Sequence, residues 1–263
     1  MTRLIFSAIL LGITFGIVGC FLMWMRHAFL SDALSHSAIL GVSISVLFGI
    51  SPLWGITGIG LLIALSLYYH KYCSNIPKDS WLNLISYSFL GLGYTVTHYL
   101  AHHKGLTLGY LESILFGDIL LINNHDLQFI TFFAIFIVCI VFLFWKMIIR
   151  SILDTELAQI HNPKSAYIFP IFLGILVILL SLTLPKVGAL LVPGMLIMPA
   201  CCAALIAKSP EKMIFIAVII SISIFLMGIF AAFQFDFPIS PMAVICGFGI
   251  FIGTIGLKRL MSR

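Results

Sequence analysis

Nine apolar runs, each near the length of a bilayer crossing, occupy most of the chain: residues 4–25, 33–50, 53–70, 82–100, 127–149, 166–185, 187–207, 213–235 and 241–257. A helix rises 1.5 Å per residue, so about 20 apolar residues cross the hydrocarbon. Lipid offers no partner to a bare amide, and a spanning segment must bond its own backbone as a helix or join a closed barrel. These runs are continuous rather than alternating, which points to helices. Only 9% of the residues are charged, where soluble domains carry about 25%. The expected fold is therefore an all-α integral membrane protein, a polytopic bundle of about 8–9 transmembrane helices. The polar stretches between runs are too short for a separate soluble domain, so residues 1–263 form a single transmembrane domain.

The net charge of +5 sits in short loops, where it sets orientation and is not a nucleic-acid footprint. With the C-terminus in the cytoplasm, Arg26, Lys71, Lys78, Lys146, Arg150, Lys164, Lys208, Lys212, Lys258, Arg259 and Arg263 fall inside. Arg3, Lys104 and Lys186 fall outside. That split obeys the positive-inside rule and turns the N-terminus outward. Arg3, an apolar run and Ile17-Val18-Gly19-Cys20 imitate a secretory leader with a cleavage box. The apolar run continues through Phe21-Leu22-Met23-Trp24, so a mature first helix is expected instead. The six cysteines show no C-x-x-C spacing, and they read as small packing residues.

Within this apolar chain, Asp32-Ala33-Leu34-Ser35-His36 stands out. An acid and an imidazole at i and i+4 share one helix face, and ionisable groups held in lipid mark a pathway or a partner. Carboxylate with imidazole is also a Zn²⁺ or Mn²⁺ chemistry. The alternative is a helix start, with Ser31 or Asp32 as N-cap and His36 satisfied by a neighbour. Spacing leaves both open. If the second helix begins near the cytoplasmic side, a chain broken at depth after Trp24 would be needed to bring Asp32 to mid-membrane.

Three further stretches carry candidate roles. Thr107–Leu121, interrupted by Glu112, Gly117 and Asp118, is expected to form a partial or interfacial helix. Ser151–Pro163 has the form of a short amphipathic helix: Asp154 can cap it, Leu153, Leu157 and Ile160 make an apolar stripe, and Pro163 stops it. Its acidic residues disfavour an anionic lipid surface, so a partner's groove competes with the interface as its resting place. The run from Pro185 to Ala200 holds Gly188, Pro193, Gly194 and Pro199, which predict kinks, either for packing or for a moving gate. His98-x-x-x-His102-His103 is either a solvated cluster at a helix end or an outer point where a cation first meets the protein. Gly12-x-x-x-Gly16 and Gly249-x-x-x-Gly253 have helix-packing spacing.

Several classes lack their signatures. There is no phosphate loop, no H-E-x-x-H and no G-x-S-x-G, which shifts weight from catalysis toward transport. An ion-coupled carrier and an intramembrane metalloenzyme using Asp32 and His36 remain as other classes.

With these pieces placed, the chain resembles the membrane permease of bacterial zinc/manganese ABC importers over nearly its whole length. The resemblance is carried by Trp24-x-Arg26-x5-Asp32-Ala33-Leu34-Ser35-His36-Ser37-x-x-Leu40-Gly41, Leu115-Phe116-Gly117-Asp118-Ile119-Leu120, Val187-Gly188-Ala189-Leu190, Pro199-Ala200 and Asp236-x-Pro238-x-Ser240-Pro241. It implies a type II importer permease in the bacterial inner membrane, paired with a second copy of itself. It further implies two ATPase subunits on the cytoplasmic face and a metal-loaded solute-binding protein outside. The ATPase would carry the hydrolysis; the permease would hold no permanent cofactor and would pass Zn²⁺ or Mn²⁺ as cargo. The family's metal-contacting acid and histidine map onto Asp32 and His36, with Glu112 and Asp118 as further pathway carboxylates. Its coupling helix maps onto about 152–161, engaging the ATPase through Asp154, Glu156, Leu157, Ala158 and Ile160. Asn162-Pro163 departs from the glycine often found after that helix. The Leu115–Leu120 block looks most like zinc-uptake members, which favours zinc over manganese.

Overall fold

The computed structural model describes residues 2–73, 75–104, 116–117, 119, 122–153 and 168–261. Nine helices lie among them: α1 (Thr2–Trp24), α2 (Ala28–Phe48), α3 (Pro52–Cys73), α4 (Lys78–Lys104), α5 (Asn124–Leu153), α6 (Ile168–Val187), α7 (Leu191–Ile206), α8 (Pro210–Phe235) and α9 (Ile239–Met261). Seven are long and apolar enough to cross a membrane. The other two differ from the apolar runs in instructive ways. α4 is long, at 27 residues, yet Lys78, Asp79, Asn83 and a series of hydroxyls keep it below that apolarity. α7, at 16 residues, reaches only about 24 Å, short of a ~30 Å hydrocarbon core.

The chain divides into two compact units. One comprises Met1–Ala28, Ser113–Ile135 and Pro185–Arg263; the other comprises Phe29–Glu112 and Phe136–Leu184.

In the first unit, α1 is the central helix. Its small residues let other backbones approach closely, which is how helices gain packing energy where lipid removes the hydrophobic drive. A Cβ on Gly16 would sit 2.8 Å from the Val218 Cα on α8. One on Gly19 would sit 1.9 Å from the Leu196 carbonyl oxygen on α7. Phe15 stacks on Phe225 at a centroid distance of 6.1 Å. Cys20 packs with Ala200, Ala203, Met213 and Ala217, and the Trp24 indole N–H donates to the Met213 sulfur at 3.2 Å. The stretch that imitates a cleavage box is thus a buried part of this interface. The glycine spacing in α9 has no such use among the described residues, where a Cβ at Gly249 or Gly253 would meet open space.

The second unit is knitted by hydroxyls. A Cβ on Gly55 of α3 would strike the Gly41 carbonyl of α2. Ser43 and Thr97 share a hydrogen bond of 2.6 Å between α2 and α4, and the Trp81 indole N–H donates to Ser66 Oγ at 2.8 Å. Most other buried hydroxyls donate to the carbonyl one turn back, as Ser37 does to Ala33 at 2.6 Å and Ser45 to Gly41 at 2.9 Å. Such back-bonding satisfies a hydroxyl where no water reaches it.

Three helices end in the same way. The N–H of His27 reaches the Leu22 carbonyl, that of Ile50 reaches Ser45, and that of Phe237 reaches Ala232. The residue before each donor is left-handed: Arg26 (φ 58°), Gly49 (φ 69°) and Asp236 (φ 56°). This is the six-to-one closure of a Schellman turn, which satisfies orphaned carbonyls. It lets α1 give way to α2 within three residues.

The α1–α7 contact is tested by Gly19→Ala. The added carbon meets a backbone atom that cannot rotate aside, so the helices must part. A loss of about 1–3 kcal/mol or more is expected as a lowered thermal midpoint in detergent. Gly58→Ala, where a Cβ meets open space, gains helix propensity of about 1 kcal/mol and should hold or raise the midpoint. Equal behaviour of the two variants would contradict the close approach.

Candidate functional site: an acid–imidazole pair and an interlocked turn

α2 begins at Ala28, which puts Asp32 and His36 in its interior and removes the capping alternative. Their common face follows from the four-residue spacing. His36 Nε2 lies 3.3 Å from Asp32 Oδ1, and the two side chains are 35% and 40% exposed. The flanking Ser31 and Ser35 are buried. A half-exposed polar pair thus stands in a mostly buried stretch of α2. Zn²⁺ bonds to imidazole nitrogen and carboxylate oxygen are about 2.0–2.2 Å long, and a tetrahedral angle between them places the two donor atoms about 3.4 Å apart. The observed separation is close to that edge. Without a cation, the same distance brings the two side chains within weak hydrogen-bonding reach. The pair supplies two ligands, leaving the remaining positions to other groups or water. Among the described residues, no cluster of three or more His, Cys, Asp or Glu side chains exists.

In the other unit, three segments far apart in sequence meet. Ser240 Oγ lies 2.6 Å from the Val187 carbonyl and 2.5 Å from the Phe116 carbonyl. Its single proton is shared between the carbonyls of two segments far apart in sequence. Gly117 (φ 63°) and Gly188 (φ 92°) both take left-handed conformations here. A Cβ on Gly117 would be 2.4 Å from the Gly188 nitrogen and 2.6 Å from the Lys186 carbonyl, so only glycine permits this approach. Beside the junction, Lys186 Nζ pairs with Asp126 Oδ2 at 2.9 Å. Asp126 also closes a capping box at the start of α5: its N–H donates to Asn123 Oδ1 at 2.9 Å, and it accepts from the Asn123 N–H at 3.1 Å. A carboxylate there also complements the helix dipole.

The other sequence candidates divide. Glu112, Asp118, Asp154, Glu156, Leu157, Ala158 and Ile160 lie outside the described residues, as does nearly all of the expected helix over 152–161. Ile152 and Leu153 belong to the end of α5. Of Thr107–Leu121, only Phe116, Gly117 and Ile119 are described. The expected kinked run separates into a turn and a helix. Gly188 lies in the turn, and Pro193 is the third residue of α7, where its missing N–H costs nothing. Pro199 interrupts the interior of α7, taking the partner from the Met195 carbonyl, and Pro185 lies in the last turn of α6. Gly194 makes ordinary van der Waals contact with Met198 and Val244. His98, His102 and His103 occupy the last turns of α4.

Sequence reasoning overlooked two features. The Asp126–Lys186 pair joins charges 60 positions apart, and no periodicity announces such a partner. His70 is buried against Trp81 with ring centroids 5.3 Å apart, and neither ring nitrogen has a hydrogen-bond partner among the described residues. Only a count of apolar neighbours on α3 could have hinted at its burial.

Ser240→Ala leaves two carbonyls without their donor and should cost about 1–3 kcal/mol. Gly117→Ala adds both a backbone clash and left-handed strain, so its midpoint in detergent melts should fall further. The reverse order would show that the hydroxyl, not the close approach, holds the junction.

The whole of this architecture has known relatives. A family model described as the ABC 3 transport family matches residues 1–258. The chain is 32% identical to the high-affinity zinc uptake system membrane protein ZnuB of Buchnera aphidicola subsp. Acyrthosiphon pisum, over 91% of this chain and 90% of that protein. It is 31% identical to the manganese import system permease protein ScaB of Streptococcus gordonii, over 94% of this chain and 87% of that one. The structure of PsaBC from Streptococcus pneumoniae in complex with Fab superposes with a TM-score of 0.82 at 29% identity, covering 96% of this chain and 90% of that one. Family and apolar helices together make this a multi-pass protein of the inner membrane. The chain belongs to the ABC 3 transport family.

Proposed function

We propose that this chain is the membrane permease of an importer for a divalent transition metal, with zinc as its cargo. The observation that carries the reading is the Asp32–His36 pair, whose 3.3 Å separation is close to the ~3.4 Å edge of a tetrahedral N/O site. The relatives named for zinc uptake and manganese import support the same cargo class. A mixed acid–imidazole set suits Zn²⁺, while carboxylate-rich sets suit Mn²⁺; the manganese relative keeps that second cargo in play. Two ligands are few, and this suits a transporter, which must release what it binds. A second copy of the chain, or Glu112 and Asp118, would complete the shell in passing.

The chain has no phosphate loop, so its energy comes from a separate ATPase, two copies docking on the lysine- and arginine-rich side. The segment at 152–161 is the coupling element, with Asp154, Glu156, Leu157, Ala158 and Ile160 at the contact. A solute-binding protein delivers metal to the opposite side. Closure of the ATPase pair shifts the coupling element, and the pathway alternates between its two openings. Gly188, Pro193, Gly194 and Pro199 bound the turn and short helix that serve as its gate.

In the assembled transporter, Asp32→Ala and His36→Ala should each lower metal uptake by about 10–100-fold or more, the range seen when even supporting groups of metal sites are lost. Uptake of ⁶⁵Zn by vesicles with intact assembly checks this, and normal uptake would remove both residues from the pathway. Stimulation of the ATPase by zinc-loaded rather than manganese-loaded binding protein separates the cargoes. Uptake by the permease alone would favour a self-sufficient carrier.

A further inference from the structure

The end of α4 presents two imidazoles to solvent. His98 and His102 are both exposed and lie on one face, with ring centroids 5.2 Å apart and planes at 80°. His103 belongs to the next face, where its ring lies 4.4 Å from that of Tyr99. Exposed Tyr94 and Tyr99 precede this end, and tyrosines gather where a helix leaves the hydrocarbon for water. The two histidines therefore stand at the aqueous edge.

The spacing of the rings is informative. An imidazole ligating through nitrogen at about 2.1 Å has its centroid about 3.2 Å from the metal, and two such rings at a tetrahedral angle have centroids about 5.2 Å apart. The 5.2 Å found matches that geometry, as it also matches an edge-to-face contact of two rings one turn apart. The last turn of a helix also carries partial negative charge from its unbonded carbonyls, which favours a cation. We infer that His98 and His102 form a second divalent-metal site, two imidazoles with water completing the shell, separate from the Asp32–His36 pair on α2. Zn²⁺ is the fitting ion, because neutral imidazole without carboxylate disfavours Mn²⁺. In the orientation set by the loop charges, this end of α4 faces outward, so the site would hold metal at the delivery side. That role rests on the importer reading; the binding itself does not.

The test is equilibrium dialysis of Zn²⁺ against the purified full-length chain in detergent, in an Asp32→Ala/His36→Ala background that silences the first pair. This background should retain about one zinc per chain at the α4 end. Adding His98→Ala or His102→Ala should weaken that binding at least about tenfold. His103→Ala should leave it unchanged, and thermal melts of these exposed-residue variants should match the background. No zinc in the background, binding indifferent to His98 and His102, or an equal loss with His103→Ala would each overturn the assignment. Failure of the importer reading looks different: the permease alone would take up metal without an ATPase partner, while zinc still bound at the end of α4.

Discussion

Polar groups along these helices have no water to turn to, and that constraint shapes nearly every contact in the protein. Ser37, Ser45, Ser181 and Thr183 each donate to a carbonyl one turn back. Ser43 and Thr97 satisfy each other across two helices. Three helix ends are closed by left-handed turns, even where the left-handed residue is Arg26 rather than glycine. With side chains and lipid equally apolar, helix association falls to close backbone approach. That explains why Gly16 and Gly19 are placed where a single added carbon would collide with another helix.

Against this background the Asp32–His36 pair differs in kind. The neighbouring Ser31, Ser35 and Ser37 are buried, and Ser37 donates to the backbone, whereas the acid and the imidazole are half-exposed and face each other. A pair that satisfies itself imperfectly can exchange that contact for a cation at small cost, since the donor atoms already stand at coordination distance. Adding more fixed ligands would tighten binding and oppose release. Under the proposed function, metal must be released as well as bound, and a sparse ligand set suits that requirement.

The junction at Ser240 solves another problem. Val187-Gly188 lies at the end of α6, where helical carbonyls run out of partners, and Ser240 lies at the start of α9. One shared hydroxyl and two left-handed glycines tie them together, and the Asp126–Lys186 pair closes the neighbouring helix start. A partly exposed ion pair contributes about 0–1 kcal/mol. The buried Ser240 hydroxyl and the close Gly117–Gly188 approach carry more of the stability.

The helical, membrane-spanning character was legible from the sequence because both length and apolarity are local properties. So was the shared face of Asp32 and His36, since four-residue spacing on a helix fixes it regardless of context. The packing use of Gly12 and Gly16 was legible too, while the same spacing at Gly249 and Gly253 proved unused among the described residues; a motif states that an approach is possible, not which neighbour arrives. Tertiary structure decided what depends on partners distant in sequence. It set the start of α2 ahead of Asp32, split the proline-rich run at Gly188, and brought Phe116, Val187 and Ser240 onto one hydroxyl. Periodicity describes a helix to itself, and only the folded chain determines which helix it meets.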